Sequence, residues 1–212
     1  MIRIIYTTFK KKLVEDEFSF HRNSLPPGIQ EQIDRYKKWE DAQSVLLGKL
    51  LLKKAFSELQ DPNYKLENLQ YNEYKRPEIK GIYDFNISHS GNYVVCAITD
   101  QGRIGVDIEQ MREMKYQEFA RVFTDSELDF INAAENPQHR FFDYWTQKEA
   151  VIKADGRGMH LPLKDVIIQN EEVVRVYEKS WHLKPLSINA DYRCHIACEG
   201  FPEEIEMREI LF

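Results

Sequence analysis

The order of the predicted elements constrains the fold more than any other feature of the sequence. The pattern of apolar and turn residues predicts helix followed by strands in the first half of the chain and again in the second, with the change near residue 100. Residues 93–97 and Tyr192–Cys198 are also faintly alike, which hints at a duplication. This order predicts an α+β protein.

The individual elements follow from local signals. The predicted helices cover residues 27–36, 40–59 and 139–154, and another helix opens at the capping-box spacing of Thr124 and Glu127. The predicted strands cover Ile2–Thr8 and residues 85–88, 93–98, 104–109, 166–168, 173–177 and 192–198.

Composition excludes several classes of function. The formal net charge is −6, which argues against non-specific binding of nucleic acid, because such binding needs a basic surface. No apolar stretch approaches the roughly 20 residues that a membrane-spanning helix needs. The three cysteines are too few and too unevenly placed for a disulfide framework. We therefore expect a cytoplasmic protein whose partners include neither nucleic acid nor a membrane.

Asp107 and Glu109 form the first informative pair. They alternate with Val106 and Ile108 in a predicted strand, so both carboxylates point to one face while the aliphatic side chains point into the core. Two like charges about 7 Å apart repel each other, and a Mg²⁺ ion, which prefers carboxylates, waters and phosphate oxygens, would convert that repulsion into a site. A solvated strand face explains the same spacing, so both interpretations stay open here.

Glu149 and Lys153 form the second pair. They stand four residues apart on the predicted helix 139–154 and therefore share one of its faces. A surface ion pair explains this spacing, and so does a third metal ligand or general base at Glu149 with Lys153 reaching a phosphate. Glu127 likewise fits either a structural role in the helix cap or a catalytic one.

Two other groups of reactive side chains carry weaker signals. Residues 88–91, Ser-His-Ser-Gly, are rich in polar donors and suit an anion, but they lack the Gly-x-Ser-x-Gly elbow. Adjacent strand residues face opposite ways, which disfavours a nucleophilic Ser88–His89 dyad. Cys194, His195 and Cys198 lack the second ligand pair of a zinc site, so we expect them in the core.

The order of these motifs is more specific than any one of them. Five motifs follow one another along the chain: Arg76-Pro77, Asn-Ile-Ser-His-Ser-Gly at 86–91, Gly-Val-Asp-Ile-Glu at 105–109, Trp-Thr-Gln-Lys-Glu at 145–149 with Lys153, and Gly-Arg-Gly at 156–158. This series resembles the 4′-phosphopantetheinyl transferases, in particular the longer, surfactin-synthetase-type branch, over most of residues 36–165. The resemblance implies a pseudo-dimer of two similar subdomains, each a small antiparallel sheet packed with helices. Residues 1–103 would lie on the coenzyme A adenosine side, and residues 104–212 would carry the metal-binding and catalytic groups.

The resemblance also implies an activity and roles for individual residues. The family transfers the phosphopantetheine arm of coenzyme A to a serine of an apo acyl or peptidyl carrier protein and releases adenosine 3′,5′-bisphosphate. Mg²⁺ would bind Asp107, Glu109 and Glu149, and catalysis would rest on Glu149, Lys153 and Asp107. The residues implied to contact coenzyme A are Arg76, Ser88, His89, Lys153 and Lys75. We expect a monomer, with the carrier docked beside the site against residues 111–124 and neighbouring parts of the second half.

Departures from the family pattern concern the 3′-phosphate of coenzyme A. Gln-Ser-Val at 43–45 replaces a stretch that is often arginine-rich, and residues 28–32 lack basic residues that are common there. Lys75 stands where a glycine is usual before the basic-Pro pair. We therefore expect His89 and Arg76, with help from Lys75 or Lys38, to hold more of that phosphate.

Two other functions fit parts of the sequence. A Mg²⁺-dependent phosphodiesterase or nuclease also uses two carboxylates, a third acid and a lysine, although the acidic net charge disfavours nucleic acid. A non-catalytic paralogue would bind coenzyme A or a carrier without transferring anything. The presence of Asp107, Glu109 and Glu149 argues against that second alternative.

Overall fold

Two four-stranded sheets form the framework of the computed structural model, which describes residues 1–168, 172–200 and 204–212. The strands of the sheets are β1 Ile2–Thr8, β4 Asp84–Ser90, β5 Tyr93–Thr99, β6 Ile104–Gln110, β7 Val173–Val176, β8 Lys179–Pro185, β9 Tyr192–Cys198 and β10 Ile205–Glu209, and a separate short pair is formed by β2 Gln70–Tyr71 and β3 Pro77–Glu78. The helices are α1 Glu15–Asn23, α2 Pro27–Asp34, α3 Trp39–Ser57, α4 Asp125–Ala133 and α5 Pro137–Asp155.

The first sheet has the strand order β10-β1-β5-β4, and α3 covers it. β1 runs antiparallel to β5, but β10 lies parallel to β1, with Ile2 opposite Ile205. Two expectations are therefore corrected. This sheet is mixed rather than antiparallel, and its edge strand β10 lies beyond residue 103, outside the predicted N-terminal subdomain. The physical reason is that the outer edge of β1 would otherwise leave a row of backbone groups unpaired, and β10 supplies their partners.

The second sheet has the order β6-β9-β8-β7 and is antiparallel throughout. Helix α5 packs against β6 and β9. The core between them includes Val151 and Trp181, both fully buried. The α+β class and the two-part architecture are thus confirmed.

Most predicted elements are present with small shifts of their ends. The helix predicted for residues 139–154 starts earlier, at Pro137, because the Asn136 side chain caps the His139 N–H. The strand predicted for residues 166–168 is wrong. Its backbone groups are bound instead by side chains of the helical layer, with the Val166 carbonyl accepting from Lys148 and the Ile168 N–H donating to Glu127.

Two further observations concern the whole described chain. Across residues 1–168, 172–200 and 204–212, no helix is both long and apolar enough to cross a bilayer. The three cysteines are free and buried, and burial raises the pKa of Cys96 to about 12 and that of Cys198 to about 11.

Candidate active site at the junction of the two sheets

The two sheets meet where β4 lies beside β6, and side chains rather than backbone pairing join them. Polar side chains at every second residue of β4 accept hydrogen bonds from alternate backbone N–H groups of β6. The bonds run from Ile104 N to Asp84 Oδ2 (2.7 Å), from Val106 N to Asn86 Oδ1 (3.0 Å), from Ile108 N to Ser88 Oγ (3.3 Å) and from Gln110 N to Ser90 Oγ (3.1 Å). We call these four bonds the junction ladder. It gives partners to N–H groups along the free edge of β6 and fixes the register between the sheets.

Gly105 allows α5 to lie directly on β6. A Cβ atom at this position would stand 2.1 Å from the Ala150 carbonyl oxygen and 2.4 Å from the Ala154 nitrogen, closer than real side chains come. The glycine of the Gly-Val-Asp-Ile-Glu motif is therefore a packing requirement. Its consequence is that the acids of β6 come next to Glu149 and Lys153 of α5.

Asp107 lies at the centre of this arrangement and is buried. Its Oδ1 accepts hydrogen bonds from Lys153 Nζ at 2.6 Å and from Ser88 Oγ at 3.1 Å, whereas its Oδ2 is buried without a partner. Burial raises the pKa of Asp107, while the Lys153 charge opposes the rise. A buried carboxylate oxygen with no hydrogen bond costs free energy unless another group satisfies it, and a cation could do so.

Glu109 and Glu149 share the electrostatic environment of Asp107. Burial raises the pKa of each, and the charge of Asp107 raises both further. Glu109 also accepts a hydrogen bond from Ser90 Oγ at 2.7 Å. Among the described residues, no three such groups converge closely enough to form a ready-made metal cage. Mg²⁺ bound between protein and phosphate needs only one or two carboxylates, so the acids fit that kind of site.

A cleft of about 670 Å³ opens beside these acids. Of the residues predicted to act in the site, Lys75, Arg76, Glu149 and Lys153 line it, and apolar side chains such as Trp145 form much of its wall. His89 lies on β4 and is exposed to solvent. The residues that line the cleft do not include Ser88, His89, Asp107 or Glu109. Lys153, which lines it, bonds both Ser88 and Asp107.

Two predicted coenzyme A residues have unexpected surroundings. Lys75 has a φ of 65°, in the left-handed region that favours glycine, which agrees with the glycine that the resemblance implies at this position. Arg76 is buried, and its guanidinium is bonded to the Asp84 carboxylate and to backbone carbonyls rather than projecting into the cleft. Arg76 therefore lines the cleft mainly with the methylene groups of its side chain (its stem) and with its backbone.

Glu127 has a structural environment. It is fully buried, pairs with Lys148 Nζ at 2.9 Å and accepts hydrogen bonds from the Thr124 and Ile168 N–H groups. Burial lowers the pKa of Lys148, and the charge of Glu127 opposes that shift. Both bonds of the predicted capping box are present. Glu127 thus joins α4, α5 and the segment before residue 169.

Sequence reasoning missed three members of the junction ladder, Asp84, Asn86 and Ser90. Their signal was the alternation of polar residues with Phe85 and Ile87 along one strand. Cys194, His195 and Cys198 lie buried in β9, and the His195 imidazole bonds the Thr146 hydroxyl at 2.8 Å.

Comparison with known proteins gives matches along most of the chain. A family model described as "4′-phosphopantetheinyl transferase superfamily" matches residues 103–200, and one described as "4′-phosphopantetheinyl transferase, N-terminal" matches residues 12–101. The 4′-phosphopantetheinyl transferase gsp of Aneurinibacillus migulanus is 32% identical over 192 residues, covering 89% of this chain and 80% of the relative. The transferase Sfp of Bacillus subtilis strain 168 is 28% identical over 209 residues, or 93% of each chain. The transferase ffp of Bacillus subtilis is 32% identical over 190 residues, or 84% of each.

Proposed function

The chain belongs to the 4′-phosphopantetheinyl transferase superfamily, and on that premise we propose that its reaction takes place at the junction of the two sheets. The enzyme transfers phosphopantetheine to a carrier protein. The proposal adds that coenzyme A is the donor, that an apo acyl or peptidyl carrier serine is the acceptor, and that Mg²⁺ is required. The observation that carries the proposal is that Asp107 and Glu109 of β6 lie beside Glu149 and Lys153 of α5, with Lys153 Nζ at 2.6 Å from Asp107 Oδ1.

Asp107, Glu109 and Glu149 are the residues that would supply the negative charge for Mg²⁺, with one or two of them as its direct ligands. A cation at this place would give the buried Oδ2 of Asp107 a partner. It would also stabilise the charged forms of the three acids, whose pKa values are raised by burial. Bound there, Mg²⁺ would offset negative charge on the pyrophosphate of coenzyme A.

Glu149 is the proposed general base. Of the three acids, Glu149 is the one that lines the cleft, so its carboxylate is placed to take the proton of a serine hydroxyl that enters there. As the proton leaves, the serine oxygen bonds to the phosphorus that carries the pantetheine arm. The bond from that phosphorus to the bridging oxygen breaks, and adenosine 3′,5′-bisphosphate departs with that oxygen.

Lys153 is the proposed stabiliser of the departing phosphate. Its ammonium lies between Ser88 and Asp107, at 2.9 and 2.6 Å, and its side chain borders the cleft. A positive charge fixed beside the leaving oxygens lowers the barrier of phosphoryl transfer, which depends on alignment and charge neutralisation.

The exposed His89 imidazole is proposed to contact the 3′-phosphate of coenzyme A, with Ser88 and Lys75 completing the contacts, while the apolar stem of Arg76 borders the cleft nearby. The carrier is proposed to dock at the mouth of the cleft, against residues 111–124. In that segment Arg121 lines the cleft and Phe119 is partly exposed, and Met159, which also lines the cleft, is fully exposed. Such an arrangement offers a carrier both apolar contact and positive charge.

The assay for this proposal is conversion of a panel of apo carrier proteins with coenzyme A and Mg²⁺, followed by intact mass spectrometry. We expect at least one carrier to gain the phosphopantetheine mass, and the gain to stop when a chelator removes Mg²⁺. Cleavage of DNA or RNA without carrier modification would support the phosphodiesterase alternative. Binding of coenzyme A without turnover on any carrier would support the paralogue. A monomer in the cytoplasm remains part of the proposal, and the free, buried cysteines are compatible with a reducing compartment.

A further inference from the structure

The Arg76 guanidinium makes five hydrogen bonds to other groups within the described part of the protein. Its two terminal nitrogens bond both oxygens of Asp84, at 2.9 and 2.7 Å, and the two side chains are 5% and 14% exposed. A two-point pair of this kind fixes the orientation of the guanidinium as well as its position.

The same guanidinium also bonds three backbone carbonyls. Nη2 donates to the carbonyl of Phe85 in β4 at 3.3 Å and to that of Ile104 in β6 at 2.9 Å, while Nε donates to the carbonyl of Lys153 in α5 at 2.9 Å. One side chain therefore contacts both sheets and the helix that carries the transfer lysine. Since Asp84 accepts the Ile104 N–H as well, the pair closes one end of the junction ladder.

The contact with Lys153 lies in the last turn of α5. The carbonyls of a last turn have no partner inside the helix, and Arg76 supplies one. The helix stops just beyond, where Gly156 has a φ of 86° and a Cβ would stand 2.8 Å from the Arg76 Cδ. The Asn72 side chain holds the Gly156 carbonyl at 3.2 Å, so the end of α5 is fixed from two directions.

We propose that Arg76, oriented by Asp84, is a positioning residue for transfer: it holds the backbone of Lys153 so that the ammonium lies between Ser88 and Asp107. This inference rests on the proposed function. It differs from the role implied by the resemblance, in which the Arg76 side chain contacts coenzyme A.

The test compares Arg76→Lys, Asp84→Asn and the double variant, with Arg103→Gln as the matched control. Arg103 also approaches Asp84, at 3.7 Å, but it is one-third exposed and has no bond to α5 among the described contacts. For Arg76→Lys and Asp84→Asn we expect kcat to fall at least tenfold while KM for coenzyme A stays within twofold. The double variant should lose no more than the worse single variant, because both act through one contact, and Arg103→Gln should stay within twofold of wild type.

Two results would overturn the inference. A tenfold rise in KM for coenzyme A with unchanged kcat in Arg76→Lys would mean that the guanidinium binds the substrate directly. Wild-type kcat in a folded Asp84→Asn variant would mean that the pair positions nothing. Asp84→Asn retains the shape of the side chain, so it decides the question even if Arg76→Lys does not fold.

A second readout is independent of transfer. Trace acetylation with acetic anhydride, resolved by peptide mass spectrometry, measures how accessible the Lys153 amine is, with Lys75 as an internal reference. We expect at least a threefold faster reaction at Lys153 in Asp84→Asn and in Arg76→Lys, and no change in Arg103→Gln. Unchanged labelling of Lys153 in every variant would reject the positioning role, even if the wild type failed to modify any carrier. Faster labelling of Lys153 in the two variants, with no transfer by the wild type, would reject only the proposed function.

Discussion

Replacing Gly105 by alanine tests whether the close approach of α5 to β6 builds the site. The added Cβ would stand 2.1 Å from the Ala150 carbonyl oxygen and 2.4 Å from the Ala154 nitrogen, and both are backbone atoms that cannot rotate away. Restoring a separation of 3.0 Å, the closest that real Cβ atoms come, requires α5 to retreat by about 0.9 Å. Glu149 and Lys153 would move with it, while Asp107 would stay on β6.

The magnitudes follow from that displacement. Overpacking of this kind costs about 1–3 kcal/mol, and a domain of this size loses about 2–4 °C of Tm per kcal/mol. A misplacement of about 1 Å in a catalytic constellation can lower the rate by about 100-fold. We therefore expect Gly105→Ala to lower kcat by about two orders of magnitude and Tm by roughly 2–12 °C.

The assay combines carrier modification, followed by intact mass, with thermal unfolding followed by circular dichroism. Gly28→Ala is the matched control, because a Cβ on this exposed glycine of α2 meets nothing within 4 Å. Its alanine variant should keep the wild-type rate and a Tm at or above that of wild type, since alanine favours helix over glycine. Wild-type kcat and Tm in Gly105→Ala would refute the reasoning, because they would mean that the two elements are not in the contact described.

Three further predictions concern stability and substrate binding. Lys75→Gly should relieve the strain of the left-handed backbone, worth about 1 kcal/mol, and raise Tm by about 2–4 °C, whereas Lys75→Ala should not raise it. Both variants should raise KM for coenzyme A if the Lys75 ammonium binds it. Equal Tm values for the glycine and alanine variants would contradict the proposed backbone strain. Glu127→Gln should leave the buried Lys148 charge without its counter-charge and cost about 3–5 kcal/mol in urea unfolding, whereas loss of transfer at unchanged stability would point to catalysis instead. Burial lowers the pKa of His195 to about 4, so the stability that its neutral form contributes is complete above about pH 6.5 and is lost as the pH falls from there to about 4. His195→Gln should flatten the pH dependence of unfolding across that window by about 3 kcal/mol, and an unchanged slope would assign the acid sensitivity to other groups.

The sequence predicted the elements whose signals are local. Ile2–Thr8 is a strand because of its β-branched residues, and the helix at Thr124 begins where its capping box places it. Asp107 and Glu109 could be identified because alternation puts two carboxylates on one face of a strand. Lys75 could be singled out because the resemblance implies a glycine at this position, and the positive φ of Lys75 is a conformation that favours glycine.

The parts that could not be predicted depend on contacts distant in sequence. The parallel pairing of β10 with β1 joins residues about 200 positions apart, and no local pattern encodes it. The segment 166–168 has the composition of a strand, but its backbone groups bond the buried pair of Glu127 and Lys148 instead of a neighbouring strand. From the sequence, Arg76 is predicted to hold a phosphate, because no sequence pattern indicates that its guanidinium pairs with Asp84.

The measurement that tests the central claim most directly is the transfer rate against Mg²⁺ concentration for the wild type and for Asp107→Asn. Asparagine keeps the shape of the side chain and removes the charge at the centre of the three acids. We expect chelated wild-type enzyme to be inactive and to recover as Mg²⁺ is added. Folded Asp107→Asn should stay below about one-hundredth of the wild-type rate at every concentration, which is the scale of losing one essential electrostatic group. Transfer by fully chelated wild-type enzyme, or more than a tenth of the wild-type rate in Asp107→Asn, would contradict the assignment of the reaction to this junction.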